Sequence, residues 1–186
     1  MKRIFDLLAA LGLMLILAPL FLFVVLGVKL TSAGPVLFRT RRVGKNSRLF
    51  TMYKFRTMRI DTPQVATHLL KEPDQFLTPI GKLLRRTSLD ELPQLINVVR
   101  GEMSLVGPRP ALFNQDDLIA LRLAGGVDAL NPGITGWAQV NGRDELTIPE
   151  KVKLDEWYLR NRSLWLDLKI LGMTVFKVIR KEGVVH

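Results

Sequence analysis

Asp90 and Glu91 are adjacent carboxylates set among basic residues, and they are the first candidates for chemistry. Arg85 and Arg86 precede the pair, and Arg109 follows in a Pro-Arg-Pro turn. Carboxylates beside guanidinium groups suit phosphate chemistry with a divalent metal, because cations hold phosphate oxygens and carboxylates act as nucleophiles or metal ligands. The alternative is that both carboxylates only cap a helix, where each charge is worth about 0.3 to 1 kcal/mol.

The composition narrows the chemistry that this chain can perform. Its 186 residues include no cysteine and two histidines, His68 and His186. Disulfides, thiolate nucleophiles and cysteine-ligated zinc are therefore excluded, and a histidine-based triad is not expected. An enzyme of this composition must use carboxylates as its acid, base, nucleophile and metal ligand.

The segment that follows Ser88 predicts a helix that would position the two carboxylates. Ser88 and Glu91 match a capping box, and apolar residues then recur at helical spacing up to a helix end at Gly101. Asp90 and Glu91 would lie in the first turn, where free N–H groups favour anions. Pro93 fits a first-turn position better than a deeper one, so the helix could instead begin several residues later.

Residues 7–28 form an uncharged apolar run that is long enough to cross a bilayer, since it would make a helix of about 33 Å. Basic residues lie on both sides of the run, and Pro19 predicts a sharp kink after Ala18. A helix that enters the membrane and returns to the same side satisfies both features. A Pro-kinked spanning helix is an equal alternative on these residues, whereas a cleaved signal peptide is disfavoured.

A basic hairpin is predicted after the apolar run. Residues 35–42 and 47–58 are β-prone and flank a Val-Gly-Lys-Asn turn. The net charge of +10 arises in the first third of the chain, which includes this hairpin, because residues 1–60 hold eleven Lys and Arg and one acidic residue. These cations could contact anionic lipids, line a phosphate site or face solvent. Nucleic acid is not an expected partner, because the chain carries no nucleic-acid motif.

The rest of the chain predicts loops and helices. Residues 61–79 are expected to form a loop with a short helical turn, and residues 80–86 a short amphipathic helix. A Gly-rich loop over residues 131–143 precedes a helix over residues 148–162. The apolar segment 164–179 contains three charged residues, so we expect an interfacial or core helix and not a span.

Four motifs in register resemble the bacterial sugar transferase family, the monotopic phosphoglycosyl transferases. The motifs are Lys54–Met58, Ser88–Leu95, Gly107–Pro110 and Pro132–Arg143. The resemblance covers nearly the whole chain. In length the chain is similar to the minimal members, which lack the extra transmembrane helices and the regulatory domain of the long forms.

The resemblance implies an α+β, mainly helical monotopic membrane protein. Residues 1–30 would form a re-entrant membrane helix, and residues 31–186 a catalytic domain on the cytoplasmic face of the bacterial inner membrane. This domain would carry a small β-hairpin and interfacial amphipathic helices. Many relatives have Ser-Pro at the kink, where this chain has Ala18 and Pro19. Pro19 would then bend the helix without help from a hydroxyl.

The resemblance also implies a reaction. A sugar 1-phosphate would pass from a UDP-sugar to undecaprenyl phosphate with release of UMP, as the first membrane step of O-antigen, capsule or glycoprotein glycan assembly. By the same resemblance Asp90 is the nucleophile of a ping-pong mechanism and Glu91 binds Mg²⁺. An N-acetylated hexosamine or a 6-deoxy acetamido sugar is expected over glucose or galactose. Anionic membrane lipids are expected partners, and the oligomeric state is left open.

Further site residues follow from positions that match the family. The cationic positions that would contact phosphate or nucleotide are Lys54, Arg85, Arg109 and Arg143, and the matching acidic positions are Asp155 and Asp167. Arg56 and Arg86 are expected to lie near this site without contacting the phosphate or the nucleotide directly.

Two alternative functions remain open on the sequence. One is a membrane-anchored basic module that binds lipid or protein without catalysis. The other is a one-step transfer through a ternary complex, which the single apolar insert disfavours because the polytopic transferases need many spans.

Overall fold

The computed structural model describes residues 1–63, 73–142 and 145–180, which form an α+β fold as predicted. The helices are α1 (Lys2–Ile16), α2 (Ala18–Thr31), α3 (Gly81–Arg86), α4 (Gln94–Arg100), α5 (Asp116–Ala124), α6 (Trp137–Val140), α7 (Ile148–Asn161) and α8 (Leu164–Arg180). The strands are β1 (Leu37–Val43), β2 (Leu49–Phe55), β3 (Ser104–Val106), β4 (Ala111–Leu112) and β5 (Gly133–Thr135).

The N-terminal apolar run folds as two helices, α1 and α2, that bend by 64° about Leu17. Pro19 lies in the first turn of α2, where its missing N–H removes no helical hydrogen bond. The chain therefore breaks just before Ala18, and the predicted kink is confirmed. Among the described residues no single helix is long and apolar enough to cross a membrane, but the bent pair has the length and composition for a broken span or a re-entrant loop.

Buried polar groups attach α1 to the rest of the chain. Asp6 accepts a hydrogen bond from the Ser104 hydroxyl at 2.8 Å. Lys2 lies 3.6 Å from Asp6 and donates to Asp167 on α8 at 2.8 Å. The Tyr158 hydroxyl donates to the second Asp167 oxygen at 2.5 Å. Because burying an unpaired charge is costly, these contacts hold α1 in one position against β3 and α8.

The predicted hairpin is confirmed as β1 and β2, which pair antiparallel from Leu37 opposite Phe55 to Val43 opposite Leu49. Since side chains alternate between the two faces of a strand, Arg42 on β1 and Lys54 on β2 share one face. β4 adds to the free edge of β1, and β3 pairs in parallel with β5.

The β3–β5 ladder depends on a close backbone approach. A Cβ on Gly133 would lie 2.1 Å from the Gly107 nitrogen, and one on Gly107 would lie 2.3 Å from the Asn131 carbonyl oxygen. Only glycine fits at these two positions. The Gly-rich segment thus contains a strand and a short helix, α6, where the sequence predicted a loop.

The capping prediction at Ser88 is wrong. Ser88 adopts a left-handed backbone with φ 56° and makes no capping hydrogen bond with any described residue. Leu89–Glu91 forms a separate 3₁₀ turn, and α4 begins at Gln94, directly after Pro93. The observed start at Gln94 agrees with the alternative prediction, in which Pro93 lies near the beginning of the helix. The predicted end at Gly101 is confirmed, because Gly101 has a φ of 83°.

The remaining helix predictions are close to the structure. α3, α7 and α8 lie within one or two residues of their predicted bounds. α8 packs on the core through Leu166 and Ile170, so the predicted core contact is confirmed. Its other side exposes Trp165 and Phe176, and contact of this side with a membrane stays a prediction. In the predicted loop 61–79 a 3₁₀ turn covers Pro73–Phe76, and residues 64–72 lie outside the described part of the chain.

Asn97 joins α4 to the hairpin. It is fully buried, and its side-chain oxygen accepts from the Tyr53 N–H at 3.2 Å. Its amide nitrogen donates to the Thr51 carbonyl and to Glu102, each at 2.7 Å. The segment just before α4 carries the carboxylate pair, so this side chain sets the distance between that pair and β2.

We expect Asn97→Ala to lower the free energy of unfolding by about 2 to 4 kcal/mol, because three hydrogen bonds are lost and buried backbone groups lose their partner. Denaturant unfolding followed by tryptophan fluorescence measures the loss. Asn161→Ala is the matched control, because its exposed amide donates to the Trp157 carbonyl within α7 and the loss of stability should stay below about 0.5 kcal/mol. Equal losses in the two variants would contradict this role for Asn97.

Candidate active site

The turn Leu89–Glu91 presents both carboxylates to the hairpin. Lys54 donates to Glu91 Oε1 at 2.6 Å and lies 3.8 Å from Asp90 Oδ2. Asp90 is 8% exposed and the Lys54 side chain 18% exposed. The ammonium group therefore bridges two adjacent carboxylates in a partly dry environment, where ion pairs are less screened than at the surface.

Arg109 approaches the pair from the turn between β3 and β4. Its Nη2 donates to Glu91 Oε1 at 3.2 Å. The turn itself is held from two sides, because Gly133 donates to the Pro108 carbonyl at 2.8 Å and Arg122 donates to the Arg109 carbonyl at 2.7 Å. Tertiary contacts thus set the position of this guanidinium.

Arg85 faces Asp90 from the end of α3. Its Nε donates to the Thr57 hydroxyl at 3.0 Å. Burial lowers the pKa of Arg85, and the negative charge of Asp90 opposes that change.

The surroundings of Asp90 raise the pKa of its carboxyl group. Burial is the main cause that raises its pKa, and the negative charge of Glu91 raises it further. Lys54 is the largest opposing influence, followed by Arg85 and Arg109. A poorly hydrated carboxylate with a raised pKa is a better base and nucleophile than an exposed one, and such perturbed groups cluster at functional sites.

The structure brings together five of the residues that the sequence singled out. Asp90, Glu91, Lys54, Arg85 and Arg109 form one cluster.

Other predicted site residues lie elsewhere. Asp155 is buried in an ion pair with Arg122, at 2.7 and 3.0 Å, and Asp167 belongs to the contacts that anchor α1. A direct contact of either carboxylate with a substrate stays a prediction. Arg143 lies outside the described residues. Arg56 donates to Ser32 and Ala33, so it secures the end of α2.

Sequence reasoning missed two residues beside the pair. A small cleft next to Glu91 is lined by Arg42, Met52, Glu91, Gln94, Arg109 and Pro110. Arg42 was counted only among the basic residues that follow the apolar run. Strand alternation places Arg42 on the Lys54 face once the register of the hairpin is known, but that register depends on the exact turn. Gln94 is buried at the start of α4 and carries no sequence signal.

The carboxylates fit one kind of metal site. No group of three or more His, Asp or Glu side chains that could hold a metal ion exists among the described residues. Mg²⁺ is commonly bound by one or two carboxylates together with substrate phosphates and water. The adjacent Asp90 and Glu91 match that donor set, which fits an ion bound together with a phosphorylated substrate.

This chain is similar in sequence to known proteins of one family. The sequence pattern of the bacterial sugar transferase family matches residues 1–181. The chain is 46% identical to the uncharacterized sugar transferase EpsL of Bacillus subtilis, over 99% of this chain and 90% of that protein.

Two further relatives have names that state a reaction. The chain is 42% identical to the UDP-glucose:undecaprenyl-phosphate glucose-1-phosphate transferase of Escherichia coli, over 95% of this chain and 40% of that protein. It is 37% identical to the undecaprenyl-phosphate galactose phosphotransferase of Salmonella typhimurium, over 98% of this chain and 41% of that protein. The chain thus spans less than half the length of these two relatives.

We expect Asp90→Asn to raise the thermal unfolding midpoint by a few degrees at neutral pH. Folding raises the pKa of the Asp90 carboxyl above its ordinary value of 3.8. The folded protein therefore loses stability as the pH rises from 3.8 through the pKa of the folded state. The amide removes that loss, so the advantage of the variant should disappear in acid. Thermal scans between about pH 4 and about pH 8 test this expectation.

Glu91→Gln is the matched comparison for this prediction. Glu91 accepts from both Lys54 and Arg109, so its neutral variant should be less stable than the wild type at neutral pH. A lower midpoint for Asp90→Asn at neutral pH would show that Asp90 stabilises the fold, contrary to the burial argument.

Proposed function

Because this chain belongs to the bacterial sugar transferase family, we propose that it transfers a sugar 1-phosphate from a UDP-sugar to undecaprenyl phosphate and releases UMP. Relatives whose names state this reaction with glucose or galactose support the acceptor and the reaction class. The observation that carries the proposal is the buried Asp90 beside the partly buried Glu91, with Lys54 bridging the two carboxylates. Preorganised cations beside a poorly hydrated carboxylate suit the transfer of a phosphorylated group.

In the first half-reaction Asp90 attacks the β-phosphorus of the UDP-sugar. A bond forms between the carboxylate oxygen and that phosphorus, while the bond from the phosphorus to the bridging oxygen breaks. The bridging oxygen keeps the electron pair and leaves as a phosphate oxygen of UMP. Lys54, Arg85 and Arg109 offset the repulsion between the carboxylate and the diphosphate, which is the main obstacle to this attack.

In the second half-reaction a phosphate oxygen of undecaprenyl phosphate attacks the same phosphorus. The new P–O bond forms as the bond to Asp90 breaks, and the carboxylate is regenerated. The product is an undecaprenyl diphosphate sugar. Splitting one transfer into two displacements is the usual gain of covalent catalysis.

Glu91 would hold Mg²⁺ together with substrate phosphates. When bound, the ion neutralises negative charge on the diphosphate. The hydrogen bonds from Lys54 and Arg109 fix the orientation of the Glu91 carboxylate, so one oxygen is held in place before substrate arrives.

The lipid acceptor requires a membrane surface, and we propose that residues 1–30 form a re-entrant insert. Lys2 and Arg3 precede the insert and Lys29 lies near its end, so both ends favour the cytoplasmic side of the inner membrane. The basic hairpin would contact anionic lipids, and residues 31–186 would form the catalytic domain on that surface. The insert exposes a row of large apolar side chains: Ile4, Leu8, Leu15, Ile16, Leu22, Phe23, Leu26 and Leu30.

Intact-protein mass tests the covalent step. The wild type, incubated with Mg²⁺ and one UDP-sugar at a time without acceptor, should gain the mass of a sugar phosphate and release UMP. The panel contains UDP-glucose, UDP-galactose, UDP-linked N-acetylated hexosamines and a 6-deoxy acetamido sugar, so the donor that reacts identifies the sugar. Asp90→Asn should give no adduct, and a chelator should prevent the adduct in the wild type.

Other results would contradict this mechanism. UMP release that needs polyprenyl phosphate, with no adduct before it, would indicate direct one-step transfer. An Asp90→Asn variant with normal turnover would exclude Asp90 as the nucleophile. The absence of UMP release with every donor and acceptor would favour a membrane-bound binding module.

The pH dependence of adduct formation tests the role of Lys54. Asp90 must be ionised to attack, so the rate falls as the pH drops through its pKa. Lys54 is the largest influence that lowers this pKa. We expect Lys54→Met to move the acidic limb of the rate profile to higher pH. Lys45→Met, at the exposed hairpin turn, should leave the limb in place, and an unchanged limb in Lys54→Met would contradict the assignment.

A further inference from the structure

Arg42 carries a donor that the described structure does not satisfy. Its Nη1 donates to the Pro110 carbonyl at 3.3 Å, which is long for such a bond. Its Nε is buried and has no hydrogen-bond partner among the described residues. A buried guanidinium donor left unpaired is costly, and a ligand oxygen is one partner that would remove this cost.

Arg42 feels the charges of Glu91 and Arg109, whereas the cations that act on Asp90 are Lys54, Arg85 and Arg109. Lys54 and Arg42 occupy the same hairpin face at opposite ends, four residues or about 13 Å apart along the strands. Lys54 contacts both carboxylates, whereas Arg42 lines the cleft with Glu91 and Arg109. The order from the nucleophile outward is therefore Asp90, then Arg109 and Glu91, then Arg42.

The charges in this cluster are unequal. Among the residues that the structure describes, the two carboxylates are surrounded by four cations, Lys54, Arg85, Arg109 and Arg42. Arg109 repels Arg42, and this repulsion adds to burial in lowering the pKa of Arg42 to about 10. An anion in the cleft would relieve the repulsion and accept from the unpaired Nε.

The stereochemistry of a two-step transfer shows which anion belongs there. In an in-line displacement the leaving oxygen departs on the side opposite the nucleophile. UMP therefore leaves opposite Asp90, and the lipid phosphate must enter from that same side to displace Asp90. Both groups are phosphate monoesters, and they occupy one place in turn.

We propose that Arg42 is a substrate-binding residue that, with Arg109, holds this phosphate monoester. The two arginines, called here the monoester cradle, bind the phosphate of UMP as it leaves and then the phosphate of undecaprenyl phosphate as it enters. Arg42 Nε donates to a phosphate oxygen in both complexes. The inference rests on the proposed function and extends it to an acceptor site shared with the leaving group.

UMP binding to Asp90→Asn protein tests the cradle, because this variant cannot turn over. Calorimetric titration of UMP into Asp90→Asn gives the reference affinity. Adding Arg42→Met should weaken UMP binding about tenfold, the effect of one lost charge-assisted hydrogen bond. Arg41→Met is the matched control, because Arg41 is the exposed neighbour on the other face of β1 and its loss should change the affinity less than about twofold.

Competition tests the shared position. A short-chain polyprenyl monophosphate in detergent should displace UMP from Asp90→Asn competitively, and Arg42→Met should weaken both ligands by similar factors. Simultaneous binding of the two monophosphates would overturn the cradle. Unchanged UMP affinity in Arg42→Met would overturn it as well.

A second variant distinguishes a loss of binding from a loss of folding. Arg42→Lys keeps the charge and the aliphatic stem but lacks Nε, so UMP binding should still weaken severalfold while the thermal midpoint stays near that of Asp90→Asn. An unchanged affinity in Arg42→Lys would also overturn the proposal. The mass adduct on wild-type protein tests Asp90 independently of the UMP titration. A missing adduct would reject the covalent mechanism, whereas weakened UMP binding in Arg42→Met would still support the monoester cradle.

Discussion

The candidate site depends on the ion pairs that Lys54 makes with Asp90 and Glu91. Two adjacent carboxylates on a three-residue turn repel each other and lose hydration when the turn is buried, so the fold must supply a cation. β2 supplies it, and Asn97 sets the distance between that strand and the start of α4. Burial raises the pKa of Asp90 despite these cations, and groups with such perturbed pKa values cluster at functional sites.

Lys54 and Arg109 come from distant parts of the chain, and Arg109 is held by groups that touch no carboxylate of the pair. Arg109 depends on a turn whose carbonyl accepts from Arg122, and Arg122 is held in turn by the buried Asp155 on α7. α1 is fixed in the same manner through Lys2 and Asp167. Asp155 and Asp167, for which the family resemblance implied substrate contacts, form buried long-range ion pairs with Arg122 and Lys2, and these pairs stabilise the fold whether or not substrate also contacts the carboxylates.

Elements with a local signal were predicted well. The β-prone segments and the turn between them gave the hairpin, Pro19 gave the bend, and apolar spacing gave α7 and α8. Failures occurred where tertiary contacts override local preference. Ser88 and Glu91 have the spacing of a capping box, but the Glu91 carboxylate is held by Lys54 and Arg109, and Ser88 takes a left-handed backbone. β5 is too short for a periodic pattern and forms because Gly107 and Gly133 allow close pairing.

The sequence by itself determined which residues could do chemistry, because adjacent carboxylates, the basic residues around them and the lack of cysteine leave few reactions open. It also determined that the N-terminal run must bend and that both of its ends carry basic charge. The tertiary structure decided which cations reach the pair. Strand register put Arg42 on the Lys54 face, and packing paired Arg122 with Asp155, since electrostatic contacts form between atoms close in space whatever their separation along the chain.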